Sequence, residues 1–476
     1  MKSAVSIPAL LAALSLLPAP AVRAQITPGP VPPPANQALA RDVLAELVAI
    51  KSTHEVGTAG VAAAIAARLR AGGFSDSELT VVGDPKYPNE VNVVVRLRGK
   101  GKGKPVLWIG HEDVVDARPE DWTLPPFKLT EKDGYFYGRG SADMKNADAA
   151  MLASMVRLKA EGFVPDRDII AAFTADEEVG LEQDGVDWLL HNRPGLVDAG
   201  LIINPDNNSG EIDNGRRTSM DVETSQKTYV TFVLEVTNRG GHSSEPRPDN
   251  AIYTLAQGLV RLAAFQFPYR TTATTRLEFA RMADKQTGQT RADLLAVSGP
   301  AIDTAAAARL ARDLAFNAAL HSTCVATMLS AGVQENALAS RAQATVQCRI
   351  MPDETPEQTR RTLETVLADP EIMITQPDPV VSGPESPPTP EVLGGVDKVV
   401  QSMWPGVIVM PTMAAGASDS LYSRSAGIPS YGLGGVFMDV RDDRTHGRDE
   451  RISTASFYES VEFTYRLMKQ LSRAAP

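Results

Sequence analysis

A histidine and an aspartate two residues apart, His111 and Asp113, directly follow the apolar stretch 105–109. Side chains at positions i and i+2 of an extended segment point to the same side, and open α/β sheets bind their ligands at the carboxyl ends of the strands. A histidine with a nearby carboxylate is a common metal-binding arrangement, in which the carboxylate is a ligand or orients the histidine. Alone the pair is a weak signal, because a buried histidine with an ordinary hydrogen bond is the commoner explanation, so its meaning depends on the rest of the chain.

Further carboxylates occur where other predicted elements begin or end. Asp143 precedes a predicted helix, where it could also serve only as a helix cap. Glu177 and Glu178 follow the apolar stretch 168–174, and adjacent carboxylates are costly unless they are solvated or a positive charge lies between them. A carboxylate after another apolar segment and a histidine near the C terminus complete the set, Asp206 and His446. Two histidines and several carboxylates are the ligands that two metal ions sharing a bridging carboxylate would need.

The two cysteines, Cys324 and Cys348, are too few to form a structural zinc site by themselves. Any metal must therefore be held by His, Asp and Glu. In an oxidising compartment the two thiols could pair, but the sequence does not show whether they are close in space.

In order along the chain, the motifs G-H-x-D-V-V, G-R-G-x-x-D-M-K, D-E-E-x-G, G-G-H-S-S and a terminal H-G begin at positions 110, 138, 176, 240 and 446. This set resembles the di-zinc metallopeptidases and amidohydrolases that include carboxypeptidase G, aminoacylase, carnosinase-type dipeptidases and succinyl-diaminopimelate desuccinylase. The resemblance runs from about Ala38 to Leu471. It implies a ligand set for two zinc ions per subunit: His111 and Asp206 for one, Glu178 and His446 for the other, and Asp143 bridging both.

The same resemblance implies catalytic roles. Asp113 would orient His111, and Glu177 would act as the general base and then as the acid. A hydroxide bridging the two zinc ions would attack the amide carbonyl. Cobalt or manganese could replace zinc, because the ligand atoms are nitrogen and oxygen.

A second, smaller domain is expected to complete the site. In the resembled family, the histidine matching His242 stabilises the developing oxyanion, often from the partner subunit of a dimer. The positions that match substrate contacts are Asn336, Arg349 and Gly416. The remaining histidines, at positions 54, 191 and 321, match no motif of the family and are interpreted as structural or exposed.

The elements that must position these residues follow from the hydrophobic pattern. Strands alternate with helices over residues 38–225 and again over 386–476, which predicts an α/β catalytic domain with a mostly parallel sheet covered by helices. Residues 226–385 are predicted to form an inserted α+β lid and dimerisation domain, with 265–322 as a helical excursion of the lid. A chain of 476 residues is too long for one hydrophobic core, so two domains are expected.

The N-terminal region and the overall charge bear on location. Residues 1–24 are typical of a secretory signal peptide, with an uncleaved anchor as the alternative, and the Pro-rich stretch 25–37 is expected to be a loose tether. The formal net charge of −11 argues against nucleic acid or an anionic membrane as a partner. We therefore expect a secreted, periplasmic protein with no membrane association beyond export.

The functional prediction is a di-zinc hydrolase that cleaves amide bonds of small peptides, as a dipeptidase or carboxypeptidase-like exopeptidase, and forms a homodimer through the lid. The first alternative is an aminoacylase-type hydrolase of N-acyl amino acids, since fold alone does not determine the substrate. The second is a non-catalytic metal-binding or receptor protein of the same fold. Loss of a ligand or of the base would favour that second alternative, and the sequence retains all of them.

Overall fold

The computed structural model describes residues 26–179, 183–206 and 208–474, so the predicted export signal lies outside the described residues. Within these ranges the helices are α1 Pro34–Ala49, α2 Ala59–Ala71, α3 Lys145–Ala160, α4 Gly185–Asn192, α5 Pro194–Val197, α6 Ala251–Ala264, α7 Ala273–Ala283, α8 Gly288–Val297, α9 Thr304–Leu310, α10 Leu314–Leu320, α11 Pro356–Leu367, α12 Pro390–Met403, α13 Ser420–Ser425 and α14 Thr454–Leu471. The strands are β1 Leu79–Gly83, β2 Val91–Leu97, β3 Val106–His111, β4 Thr130–Lys132, β5 Tyr135–Tyr137, β6 Ile169–Thr174, β7 Leu201–Asn204, β8 Ser209–Asp213, β9 Arg216–Gln226, β10 Thr228–Thr237, β11 Gly241–His242, β12 Thr323–Ala331, β13 Ala337–Leu338, β14 Arg341–Ile350, β15 Met373–Thr375, β16 Ile408–Ala414, β17 Ser430–Gly432, β18 Val436–Asp439 and β19 Arg451–Ser453. In the described part of the chain, no helix has the length and apolar character needed to cross a bilayer.

A large mixed sheet forms the centre of the catalytic domain, in the order β1-β2-β6-β3-β7-β17-β9-β8-β18, with β16 paired to β9. Strands β6, β3, β7 and β17 run parallel to one another at its centre. Parallel strands bring their carboxyl ends to one edge of the sheet, where ligands bind in open α/β folds. The predicted α/β class with a mostly parallel central sheet is confirmed.

Both faces of this sheet are covered, which explains the nearly continuous apolar character of its central strands. Along β3, Val106 and Trp108 belong to the main core with α1, α2, α3, α12 and α14, whereas Leu107 and Ile109 pack with α4 on the other face. The alternation follows from the two-residue repeat of a strand. It fixes the register that places His111 at the end of β3.

A second, antiparallel sheet forms the lid, in the order β12-β14-β10-β15. The alternating apolar residues of β10 and β14 pack against α6 and α11 in a separate core. A disulfide joins Cys324 in β12 to Cys348 in β14, so the pairing that the sequence left open is present. Strand β9 of the catalytic sheet ends at Gln226 and β10 of the lid begins at Thr228, so a single residue separates the two domains at this point.

The helical excursion 265–322 contains α7 to α10, as predicted, but it does not belong to the lid alone. Helix α7 packs against β16 of the catalytic sheet: Leu277 contacts the main core, and the Arg281 guanidinium donates to the carbonyl of Val409. On the other side, Arg270 pairs with Glu354 next to the lid helix α11. The excursion therefore bridges the two domains, which the hydrophobic pattern of its own helices could not reveal.

The Pro-rich segment also differs from the expected loose tether. Helix α1 begins at Pro34, because proline at the first helical position loses no hydrogen bond and already has a helical φ. Before it, the Gly29 amide donates to Glu459 of α14 at 2.7 Å, and the Thr27 carbonyl accepts from Arg217 at 2.7 Å. Residues 26–33 are thus bound along the catalytic domain.

Candidate metal centre

The predicted ligands meet at the carboxyl edge of the central strands. His111 is the last residue of β3 and lies in register with Thr174, the last residue of β6. Glu177 and Glu178 follow β6 by three and four residues, and Asp206 follows β7 by two. Residues far apart in sequence converge here because the three strands are parallel neighbours.

Two groups of ligand atoms share one carboxylate. His111 Nε2 lies 3.2 Å from Asp143 Oδ1 and 3.3 Å from Asp206 Oδ1. His446 Nε2 lies 3.0 Å from Asp143 Oδ2 and 3.0 Å from Glu178 Oε2. The donor atoms of each group lie within 4.8 Å of one another, the spacing expected of a metal site. Asp143 directs one oxygen into each group, which is the geometry that a bridging carboxylate requires.

Asp143 is held in place from the C-terminal region. Helix α3 starts after Met144 without a side-chain cap, so Asp143 does not serve as a helix cap. Instead, the fully buried Glu450 accepts hydrogen bonds from the amides of Ala142 at 2.7 Å and Asp143 at 3.2 Å. Glu450 also pairs with Arg139 at 2.5 Å, and Arg139 donates to the His446 carbonyl at 3.2 Å. This buried ion pair joins the loop of Asp143 to the loop of His446.

The turn that carries Glu177 and Glu178 is fixed by side chains from outside it. The Asp113 carboxylate accepts from the amide of Glu177 at 3.1 Å and from that of Glu178 at 3.0 Å, one oxygen for each. Asn92 accepts from the Ala175 amide at 3.0 Å. The acidic pair is therefore presented to the centre by a constrained backbone.

The structure adds a second contact to the predicted role of Asp113. His111 Nδ1 donates to the backbone carbonyl of Asp113 at 3.1 Å, whereas the Asp113 carboxylate lies 3.6 Å from it, beyond good hydrogen-bond distance. The carboxylate instead accepts from the two amides of the turn that carries Glu177 and Glu178. Asp113 thus orients His111 mainly through its main chain and the turn through its side chain.

The electrostatics of the centre show an excess of negative charge. Burial raises the pKa of Glu177 and of Asp206, and neighbouring carboxylates raise both further. Hydrogen bonds with Asp143 and Glu178 raise the pKa of His446 to about 10. Burial also raises the pKa of Asp143, but its contacts with His111 and His446 outweigh burial and lower that pKa overall. Carboxylates gathered in this way favour bound cations.

The predicted lid residues lie in two places away from the ligands. His242 is exposed on the β11–β13 ladder, and its Nδ1 contacts the Ser244 hydroxyl at 2.7 Å. Asn336 is exposed beside it, where its carbonyl accepts from the Ser243 amide. Among the described contacts, none joins His242 to the metal ligands of its own chain.

Arg349 and Gly416 do come together. The Arg349 guanidinium donates to the carbonyl of Ala415 at 3.0 Å, next to Gly416, and lies 4.6 Å from the centre of the Tyr229 ring. Gly416 is exposed, and a side chain there would meet nothing within 4 Å. The arginine and this loop face each other across the junction of lid and catalytic domain.

Three residues that contact the loops around the centre were not predicted from the sequence: His54, Asn92 and Glu450. Glu450 could have been suspected from the charged stretch Arg448–Arg451 after His446 and from Arg139 in the glycine-rich motif. The other two carry no local signal, because their partners lie 122 and 83 residues away.

Known proteins resemble this chain in sequence and in fold. The model of peptidase family M20/M25/M40 matches residues 107–470. The human N-fatty-acyl-amino acid synthase/hydrolase PM20D1 is 29% identical over 382 residues, 77% of this chain and 74% of that protein. The protein named "Probable carboxypeptidase S-like 2" of Dictyostelium discoideum is 28% identical over 383 residues, 78% of this chain and 72% of its own length. The M20 family metallo-carboxypeptidase Sso-CP2 of Sulfolobus solfataricus superimposes with a TM-score of 0.64 at 16% identity, over 91% of this chain and 99% of that one, which supports the fold.

Proposed function

Since the chain belongs to peptidase family M20/M25/M40 and is therefore a hydrolase of the metallopeptidase and amidohydrolase type, we propose that it is a di-zinc exopeptidase. Its substrates would be dipeptides or short peptides from which it releases an amino acid with a free α-carboxylate. The observation that carries the proposal is the pair of ligand groups sharing Asp143, with Glu177 on the adjoining turn.

The residues present fit two divalent cations. Each group offers one histidine nitrogen and carboxylate oxygens, a donor set that zinc accepts and that cobalt or manganese also accepts. The buried Asp206 and Glu177 have raised pKa values without a cation, and a cation between the carboxylates would remove that cost. We propose two zinc ions per subunit.

Bound divalent cations would make a water molecule more acidic and polarise the substrate carbonyl. The chain's own contribution is the Glu177 carboxylate, which accepts the proton of the attacking water and transfers it to the leaving amine. Because Asp113 binds the amides of both Glu177 and Glu178, the base keeps a fixed position relative to a ligand. The burial of His111 and Asp113 excludes bulk water from that side of the site.

Recognition of the substrate carboxylate is assigned to Arg349. Its planar fork can bind both oxygens of a carboxylate, and its contacts with Tyr229 and Ala415 leave it at the junction of the two domains. Asn336 and the loop at Gly416 would contact the substrate backbone.

A second candidate, hydrolysis of N-acyl amino acids, is favoured by the similarity to the human N-fatty-acyl-amino acid synthase/hydrolase over most of the chain. Both substrate classes contain an amide whose leaving group is an amino acid with a free carboxylate. The same metal centre and Arg349 would serve either substrate class. The two classes would differ in the group on the carbonyl side of the amide, an amino acid in one and an acyl chain in the other.

We further propose that the protein forms a homodimer through the lid. The edge strand β12 exposes apolar side chains: Val325, Met328 and Leu329 are 57–69% exposed. Open strand edges with apolar residues favour pairing with another chain. Because none of the described contacts of His242 reaches the proposed metal ligands of its own chain, a partner could supply it as the oxyanion-stabilising residue. A verified mixed dimer of inactive Glu177→Gln and His242→Ala protomers should regain activity at the one intact site, and a mixed dimer that stays inactive would contradict a shared site.

Export to an oxidising compartment, the periplasm, is proposed from the pattern of residues 1–24. The Cys324–Cys348 disulfide supports this location, since disulfides persist mainly outside the cytosol.

The decisive experiment is hydrolysis of a matched panel of dipeptides and N-acyl amino acids by the purified protein, with added zinc and after chelation. Chelator-sensitive turnover of dipeptides is expected, and a clear preference for acyl amides would favour the second candidate. A protein with two bound zinc ions and no turnover of either class would refute the proposed substrates.

A further inference from the structure

His54 lies in the loop between α1 and α2 and reaches the catalytic turn. Its Nδ1 donates to Asp176 Oδ1 at 2.7 Å. The Asp176 side chain is fully buried, whereas that of His54 is 42% exposed. His54 therefore lies at the rim of the centre, in contact with the residue that directly precedes Glu177.

Asp176 has an unusual backbone conformation for a residue with a side chain. Its φ is 59°, in the left-handed region, which costs about 1–2 kcal/mol for such a residue. Its second oxygen, Oδ2, is buried and has no hydrogen-bond partner among the described residues. Among the described residues, the bond with His54 is the side-chain contact that satisfies the first oxygen, Oδ1, and it favours the strained conformation.

The loop that carries His54 is itself attached to the end of β3. The Ser52 hydroxyl donates to the Glu112 carbonyl at 2.8 Å, and the Ser52 carbonyl accepts from the Val114 amide at 3.0 Å. These bonds go to residues that directly follow His111, the last residue of β3. Through these bonds, His54 couples the position of the turn after β6 to the position of His111.

We propose that His54 is a positioning residue, which acts through Asp176 to fix the turn that carries Glu177 and Glu178. The inference rests on the proposed hydrolysis at this centre. Without His54, neither oxygen of this buried carboxylate would have a partner in the described part of the chain, which is costly. Asp176 would then turn toward water and displace the base and the ligand that follow it.

The test compares three variants. His54→Ala removes the bond, and His54→Asn restores it, because the asparagine amide nitrogen occupies the place of Nδ1. His191→Ala is the matched control, since His191 also contacts an aspartate, Asp187 at 3.3 Å, but on the exposed face of α4. For each variant, Co²⁺ binding to the metal-free protein is followed by visible absorption, and kcat and KM are measured on the panel substrate that the wild type hydrolyses fastest.

The expected result for His54→Ala is a fall in kcat of about 10- to 100-fold with KM changed less than about threefold, and weaker binding of one of the two Co²⁺ ions by roughly tenfold. The Asn variant should recover both properties, and His191→Ala should match the wild type. Wild-type levels of kcat and Co²⁺ affinity in His54→Ala would overturn the inference, as would an Asn variant as impaired as the Ala variant. An inactive wild type would refute the proposed hydrolysis instead, and Co²⁺ binding would still test His54.

Discussion

Replacing Asp113 with asparagine should disable the centre although it changes only one side-chain atom. Each carboxylate oxygen accepts from a different amide: Oδ1 from that of Glu177 at 3.1 Å and Oδ2 from that of Glu178 at 3.0 Å. Asparagine has one acceptor and one donor. One of the two amides would therefore face an NH₂ group at hydrogen-bond distance.

The size of the effect follows from the burial of the group, since Asp113 is 1% exposed. A hydrogen bond to a charged group contributes about 1.5–3 kcal/mol, and a buried donor left without a partner costs about 1–3 kcal/mol. If about 3 kcal/mol of this loss is added to the activation free energy, because Glu177 is no longer held in place in the transition state, kcat should decrease by roughly 100-fold.

The assay measures kcat, bound zinc and the melting temperature of Asp113→Asn against a matched control, Asp303→Asn. Asp303 also accepts from two backbone amides, those of Ala305 and Ala306, but both bonds go to a single oxygen at 2.9 Å. Asparagine can keep both of these bonds, so the control should behave as the wild type. A kcat for Asp113→Asn within threefold of the control would refute the reasoning that the two oxygens hold the turn.

Three further results are expected. Glu177→Gln should lower kcat by about 10²- to 10⁴-fold while zinc content stays at two, because Glu177 is outside both ligand groups; near-normal turnover in a zinc-loaded variant would exclude it as the base. Arg349→Gln should raise KM at least about tenfold for a substrate with a free α-carboxylate and leave its amidated analogue unchanged, and equal effects on both would argue against carboxylate binding. Burial raises the pKa of Glu278 from 4.5 to about 8, so the folded state holds this proton more tightly than the unfolded state and loses stability as pH rises from about 4.5 to 8. The melting temperature of Glu278→Gln should therefore exceed that of the wild type by more at pH 8 than at pH 5, and a difference independent of pH would contradict the buried carboxyl.

Four of the five predicted ligands lie next to an element with a clear hydrophobic pattern, whereas His446 lies in the loop between β18 and β19 and was identified by its H-G motif. His111, Asp143 and Asp206 adjoin buried strands or the start of α3, and their residue types already suggested metal binding. The order of the motifs along the chain gave the family, which the family model confirmed over residues 107–470. The polar hairpin of β8 and β9 was missed, since strands with this composition give little periodic signal.

Contacts between segments that are far apart in the sequence were harder to predict. The helical excursion was predicted as part of the lid, but Leu277 and Arg281 join it to the catalytic domain. Its helices bury apolar residues among themselves, so their spacing predicts helices without saying which neighbour they pack against.

The sequence by itself determined the residue types of the centre, the strands that precede them and the chemistry that nitrogen and oxygen ligands allow. Only the tertiary structure decided that the two oxygens of Asp143 separate into two ligand groups, that the Asp113 carboxylate holds the turn of Glu177, and that His54 supports Asp176. The physical reason is range: periodicity and caps act over a few residues, whereas these bonds join segments that become neighbours only when parallel strands align at one edge of the sheet.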